Sequence, residues 1–316
     1  MVIVLSCGIW QGGGVVVPAA DVEITEDLVV RLIDEQCPEF RGPVRHESSG
    51  LDNVLFRVGA DYMARLPRHV TGDTLMRHEL RWLPELAGTM SLPVSAPLVA
   101  GRPSRDYPYA WSLVRRFEGT AADLADIIDH DAVATKLAFF LRSLHHPSPS
   151  DAPKSPVRGV PLTDRHEAFA HRIAAVEPRD AQLLTRVFEA ALAAATYEGP
   201  PLWMHGDLHP GNVIIAGGDL VGVVDFGDLN GGDPAGDLVA AWMLFDETSR
   251  ALFFSLYQPP ADMVRRAAGW AALFAVFFIE ISLETRPTYG RVARHTMTQL
   301  ALDAGWLEDS ARGLHP

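Results

Sequence analysis

Short apolar runs dominate the first part of the chain, and apolar residues three and four apart dominate the second. Thr25 predicts the cap of a helix over residues 26–36, which Pro38 stops. Runs at 44–48 and 54–58 predict two strands joined by a turn at Ser49-Gly50-Leu51-Asp52. Residues 61–66 predict a third strand, broken by Pro67, and 71–86 a helix. Two more strands are expected over 93–99 and 110–117, separated by Gly/Pro/Ser-rich turns. Beyond Gly119 the period changes. Val133, Leu137, Phe140, Leu141 and Leu144 share one face of a helix over 132–145. A Pro/Ser-rich loop over 147–161 follows, then amphipathic helices over 165–176 and 181–195. Residues 202–205 form a short strand, and 213–215 pairs with 220–224 around Gly217-Gly218-Asp219. The remainder reads as helix. Strands early and helices late predict an α+β fold of two lobes, 21–117 and 118–316, behind a flexible leader over 1–20. A ligand site is expected in the cleft between them.

Composition narrows the classes. A chain of 316 residues buries a large core. A net charge of -13 leaves no surplus of cations for phosphate contacts, so nucleic acid is not an expected partner. That charge is compatible with a cationic ligand, and equally with a role in solubility alone. The two cysteines, Cys7 and Cys37, provide no disulfide framework, which points to a cytoplasmic protein. The apolar start at residues 1–5 lacks a basic segment before it, and Leu5-Ser6-Cys7-Gly8 is only a faint lipoprotein pattern. Residues 267–279 are strongly apolar, but Glu280 and Glu284 end them short of the ~20 residues a membrane span needs. A buried helix is the expectation, with no membrane partner.

The chemistry concentrates in His205-Gly206-Asp207-Leu208-His209-Pro210-Gly211-Asn212 and, after the next apolar run, Asp225-Phe226-Gly227-Asp228. Phosphoryl transfer from a magnesium nucleotide needs one Asp to orient the attacking hydroxyl, and an Asn and a second Asp to hold the metal. Asp207 fits the first role, and Asn212 and Asp225 the other two. Each alone reads equally as a turn or loop residue; the three together carry the signal. His205 and His209 raise the alternative of a zinc site, but nothing elsewhere in the sequence completes one. Asp228 and Asp233 are candidates for shaping the acceptor or metal region, and Asp237 for capping a following helix.

The small lobe needs a cation on its third strand and a Glu on the helix after it. Arg65 and Glu79 are the candidates, with Arg68 as a competitor past Pro67. Ser48-Ser49-Gly50-Leu51-Asp52-Asn53 is the segment placed to cover phosphates, with Ser49, Gly50 and Asn53 as its candidate contacts, although a plain β-turn explains it equally. Val114 and Arg115 mark the hinge, where backbone groups would meet a nucleobase. Among the late helices Asp246, Glu247, Glu280 and Glu284 are acids available to a polyamine; Glu280 and Glu284 share a helix face, which a solvated face also explains.

With His-Gly-Asp where protein kinases carry His-Arg-Asp, and the same spacing to the Asn, the chain resembles the aminoglycoside phosphotransferase family. The match runs loosely through Ser49–Asn53, Arg65-Leu66-Pro67-Arg68 and Leu141–His145, and specifically over 205–237. The resemblance implies a bilobal protein-kinase-like fold, ATP or GTP with Mg²⁺, and O-phosphorylation of a small-molecule hydroxyl, foremost on an aminoglycoside. It implies Asp207 as the catalytic Asp and Asn212 and Asp225 as metal ligands. Arg65 departs from the family's usual Lys. Kinases for other metabolites or macrolides, and a nucleotide-binding pseudokinase module, remain the alternatives.

Overall fold

Thr25 caps the first helix as its sequence predicts: its Oγ1 accepts from Leu28 N at 3.2 Å. The computed structural model describes residues 20–284 and 287–311, without the side chains of 283–284 and 306–311. Residues 1–19 of the predicted leader, and the Glu284 side chain, lie outside the described part. Helix α1 (Glu26–Gln36) buries Leu28, Val29, Leu32 and Ile33. At about 2 kcal/mol per fully buried aliphatic side chain, this face holds α1 in place. It packs against the inner residues of a five-stranded antiparallel sheet, among them Phe56, Val58, Ala64, Leu66 and Trp111.

That sheet consists of β1 (Val44–Ser49), β2 (Asn53–Val58), β3 (Tyr62–Pro67), β4 (Pro97–Gly101) and β5 (Trp111–Arg115), in the order β1-β2-β3-β5-β4. Helix α2 (Val70–Ala87) connects β3 to β4. Strand β4 begins later than the apolar run predicts. Residues 93–95 leave the sheet and bond instead to the other half of the molecule, Ser95 N to Val223 O at 3.3 Å and Val223 N to Pro93 O at 3.1 Å.

After β5 the chain crosses into a helical part. Strand β6 (Thr120–Ala121) pairs with a later hairpin, and α3 (His130–Leu144), α4 (His166–Ile173) and α5 (Pro178–Leu192) follow. Strand β7 (Leu202–Met204) leads into the His-Gly-Asp loop, and β8 (Val213–Ala216) and β9 (Asp219–Val223) form the predicted hairpin. Its turn uses Gly217 and Gly218 at φ 59° and 81°. Strand β10 (Asn230–Gly232) returns beside β7. Helices α6 (Ala240–Leu244), α7 (Glu247–Tyr257), α8 (Ala261–Glu284) and α9 (Pro287–Ala311) complete the fold. The apolar run over 267–279 lies inside α8, where Trp270, Phe274, Phe277 and Phe278 are buried in the large core. Among the described residues no helix is long and apolar enough to cross a membrane.

Candidate active site

Strand β7 ends at Met204 and delivers His205 to a turn that is held from behind. Gly206 adopts φ 84°, and a Cβ there would lie 2.3 Å from Asp228 O, so only glycine fits. The turn's backbone donors are satisfied by Asp237, which accepts from His205 N at 2.6 Å and from Gly206 N at 2.9 Å. Asp237 Oδ2 also meets His145 Nε2 at 3.0 Å, and His145 Nδ1 meets the Tyr257 hydroxyl at 2.7 Å. Asp237 is therefore not the helix cap its position predicts. It lies within the 3-10 turn Pro234–Val239, and Asp233 caps that turn by accepting from Ala235 N at 3.1 Å. The carboxylate of Asp237 turns inward because two strand-end N–H groups have no other partner.

His205 Nδ1 accepts from Asp207 N at 3.2 Å, so its proton sits on Nε2, which donates to Val224 O at 3.0 Å. Burial lowers its pKa against the pull of Asp237 and Asp207, and the ring is neutral. His209 has the same tautomer, since its Nδ1 accepts from Gly211 N at 3.0 Å. Both imidazoles brace the loop.

Three acceptor groups meet in front of this frame. Asp207 is 2% exposed, and its Oδ1 accepts from Arg158 Nη2 at 2.6 Å. Its Oδ2 has no hydrogen-bond partner and lies 3.4 Å from His209 Nε2. Burial works against the charge of Asp207, but Arg158 and His209 outweigh it and hold the carboxyl below the ordinary range. Asn212 Nδ2 donates to Asp207 O at 2.9 Å, which leaves its Oδ1 buried and without a partner. Its own carbonyl accepts from Val224 N at 3.0 Å and so places it beside the end of the β9 run. Asp225 follows at φ 68°, a left-handed conformation uncommon for residues other than glycine, among which Asp is one of the more tolerant. Its Oδ1 accepts from Arg65 Nη2 at 3.1 Å, and its Oδ2 has no partner.

Burial, opposed by Arg65 and reinforced by Glu79 and Asp207, pushes the Asp225 carboxyl up to about 6. Buried oxygens without donors are uncommon, and the open amide oxygen of Asn212 and carboxylate oxygen of Asp225 are hard donors of the kind that suits Mg²⁺. The Asn212 and Asp225 side chains would hold it.

Asp228 is buried nearby, and its carboxyl is pushed up to about 7, first by burial and then by Asp207 and Asp225, against Arg158. Its folded pKa exceeds the unfolded value of about 3.9. The folded state therefore holds this proton more tightly, and stability is lost as pH rises through 7. Asp228→Asn is expected to raise the thermal midpoint of the metal-free protein at pH 8. The gap over the native chain should narrow below pH 7 and close near about pH 4, as a melting series across pH would read.

Arg65 and Glu79, predicted as a pair from their elements, are brought together. They form a buried ion pair between β3 and α2, and Arg65 also binds Asp225. Burial opposes the Arg65 charge, but Glu79, Asp225 and Asp52 hold the guanidinium above its ordinary value. Arg68 is occupied elsewhere, donating to Gly50 O at 2.7 Å. Arg65, Asp225, Val114 and Arg115 line a cleft of about 870 Å³ between the sheet and the helical part, with Met63, Phe117 and Ile214.

Ser49, Gly50 and Asn53 do not line it; the neighbouring Glu47 and Ser48 do. The turn closes on itself through Gly50 N to Asn53 O at 2.8 Å, and Arg68 and His69 tie it toward the start of α2. The acids expected near an acceptor are also engaged. Asp233 takes two bonds from Arg266, at 2.7 and 3.2 Å, Glu280 accepts from Arg172 at 2.9 Å, and Asp246 caps α7 through Ser249 N at 2.9 Å. Arg158 is the group the sequence did not disclose, since nothing in a Pro/Ser-rich loop marks a buried cation.

No curated protein matches the chain. Among solved structures, the GDP complex of wild-type aminoglycoside 2'-phosphotransferase-IIIa is similar with a TM-score of 0.64 at 18% identity, over 89% of this chain and 99% of that one. A ternary complex of an aminoglycoside phosphotransferase with streptomycin and ATP gives 0.57 at 20% identity, over 82% and 91%. Macrolide 2'-phosphotransferase MphH from Brachybacterium faecium gives 0.59 at 18%, over 86% and 97%. At such identities the likeness speaks to the fold, which is kinase-like. The profile of the phosphotransferase enzyme family matches residues 44–271, well over half of the chain and the whole stretch that builds the cleft from β1 into α8, and the chain belongs to that family.

Proposed function

We propose that this protein moves the γ-phosphoryl group of a magnesium nucleotide, ATP or GTP, onto a hydroxyl of a small molecule of the aminoglycoside type. The observation that supports it most is the trio of buried oxygens without donors, Asp207 Oδ2, Asn212 Oδ1 and Asp225 Oδ2, beside the cleft. Residues 21–117 act as the nucleotide lobe and 118–316 as the catalytic and acceptor lobe. The nucleobase lies against Val114 and Arg115, and Arg65, held by Glu79, meets the phosphates. Of the segment over 48–53, Ser48 takes the covering position, together with Glu47, rather than Ser49, Gly50 and Asn53.

Asp207 orients the acceptor hydroxyl. As the acceptor oxygen bonds to phosphorus, the bond to the bridging oxygen breaks, a nucleoside diphosphate leaves, and the hydroxyl proton passes toward Asp207. Asn212 and Asp225 would hold the magnesium ion, which would supply neutralisation of charge on the phosphates. The transition state is loose, so positioning matters more than basicity.

One observation favours a second acceptor class. Glu280 and Asp246, expected to meet amines, and Asp233, expected to shape the acceptor region, are bonded within the protein. That leaves less free negative charge for a polycation and favours a neutral or singly charged hydroxyl compound, such as a macrolide or a metabolite alcohol.

A panel of aminoglycosides, macrolides and amino or sugar alcohols, with nucleotide consumption and product mass as readouts, tests the reading. A product about 80 mass units heavier, the gain of one phosphoryl group, is expected. Nucleotide binding with no transfer to any acceptor would instead support a regulatory module. Asp225→Asn is expected to abolish the Mg²⁺-dependent part of nucleotide affinity, seen by titration with and without the metal. Equal metal dependence in this variant and the native chain would remove Asp225 from the ligand set.

A further inference from the structure

Arg158 reaches Asp207 from outside the His-Gly-Asp loop, and the segment that carries it is built to aim it. Ser155 Oγ accepts from Val157 N at 3.2 Å and from Arg158 N at 3.1 Å. Gly231 N donates to Pro153 O at 3.0 Å, and Asp233 N to Gly159 O at 2.9 Å, which pins the segment along β10. Gly159 stands at φ 64°, and a Cβ there would lie 2.7 Å from Met204 Sδ and 3.0 Å from Gly232 Cα. The chain therefore turns inward where only glycine fits, directly after Arg158. The Arg158 side chain is 1% exposed, and its Cζ lies 4.9 Å from the centroid of the Phe274 ring. A guanidinium buried this deeply is costly unless it is bonded to an opposite charge, and Asp207 supplies that charge.

The bond is asymmetric. Arg158 takes Oδ1 of Asp207 and leaves Oδ2 without a hydrogen bond. A carboxylate pinned at one oxygen presents the other in a fixed direction, as a third group does for the base in other catalytic sets. We propose that Arg158 is a positioning residue for phosphoryl transfer: it locks the Asp207 carboxylate through Oδ1, so that Oδ2 is the oxygen that receives the acceptor hydroxyl. This rests on Asp207 as the base, the reading given above.

The test compares Arg158→Gln and Arg158→Lys with the native full-length chain, on Mg-ATP with a responding acceptor of the panel or with water. Misplacing a reacting group by an ångström lowers turnover by about 10²-fold. Arg158→Gln is expected to lose about that much in kcat. Arg158→Lys keeps one charged donor and is expected to lose about 10-fold. Both should keep the ATP KM within about twofold, since neither change touches the nucleotide cleft. A kcat within about twofold of native in Arg158→Lys, or losses tracked by a rising ATP KM, would overturn the proposal. Equal losses in the two variants would also overturn it, because packing on Phe274 rather than the bond to Asp207 would then be the role. Should Arg158→Gln not fold, Arg158→Lys decides by the same criteria. Asp207→Asn, run in parallel, separates the two readings. A dead Asp207→Asn beside fully active Arg158 variants sinks the positioning role alone, whereas an active Asp207→Asn sinks the base assignment beneath it.

Discussion

Asp207→Asn is expected to lower kcat by about 10³-fold or more while leaving nucleotide affinity largely intact. The change is isosteric, and the amide oxygen can still accept from Arg158 Nη2, so the loop keeps its shape. What changes is the second atom. Oδ2, the open acceptor in the native site, becomes an N–H donor that repels the hydroxyl proton it should receive. The nucleotide cleft is lined by Arg65, Val114 and Arg115 and does not include Asp207, so binding should report little change. Steady-state kinetics with a nucleotide titration reads both quantities. Native turnover in this variant would remove Asp207 from the base role.

Asp237→Ala is expected to produce the largest loss of stability. The substitution strips the partner from two buried backbone donors, His205 N and Gly206 N, and from His145 Nε2. Each buried donor left unsatisfied costs about 1–3 kcal/mol. Together they amount to about 4 kcal/mol, or about 6 °C in the thermal midpoint of a chain this size. Activity should fall with it, because His205 and Gly206 set the direction of Asp207. His145→Ala removes one of those three bonds and the bond to the Tyr257 hydroxyl but leaves His205 N and Gly206 N satisfied, so it should cost less. Differential scanning calorimetry on both variants measures the difference, and an Asp237→Ala midpoint within about 2 °C of native would mean that Asp237 does not brace the loop.

Much of the fold was legible in local patterns. Thr25 at a helix start, Gly217-Gly218 between two apolar runs and the apolar face of 132–145 each act over a few residues, so the chain declares them without tertiary help. Element ends were less legible. Residues 93–96 have strand composition, yet pairing with Val223 draws them off the sheet, and that partner is far away in sequence. The extension of α5 back to Pro178 follows from proline's tolerance in a first helical turn, which apolar spacing does not register.

The site divides in the same way. Asp207, Asn212 and Asp225 are recognisable because their spacing reflects one loop and one hairpin, whose geometry is local. Arg65 and Glu79 are inferable as a pair because a kinase needs a cation on the third strand and a Glu on the helix after it. Ser49, Gly50 and Asn53 were assigned to that cleft from a turn that faces elsewhere, since Arg68 and His69 hold it toward α2. Asp233 and Glu280 look free in sequence because their partners Arg266 and Arg172 are identified only once the helices pack, whereas Asp246 is taken locally as the cap of α7.

From its own order of residues the chain determines a strand-rich half, a helical half and the three oxygen donors of the proposed chemistry, because short-range spacing and turn chemistry suffice for each. Tertiary structure alone decides which oxygen of Asp207 stays open, which carboxylate holds the loop and which acids remain uncommitted. Those outcomes depend on pairing buried charges and backbone donors across long stretches of chain. Burial leaves such groups no water to turn to, so each takes the partner that packing brings within reach.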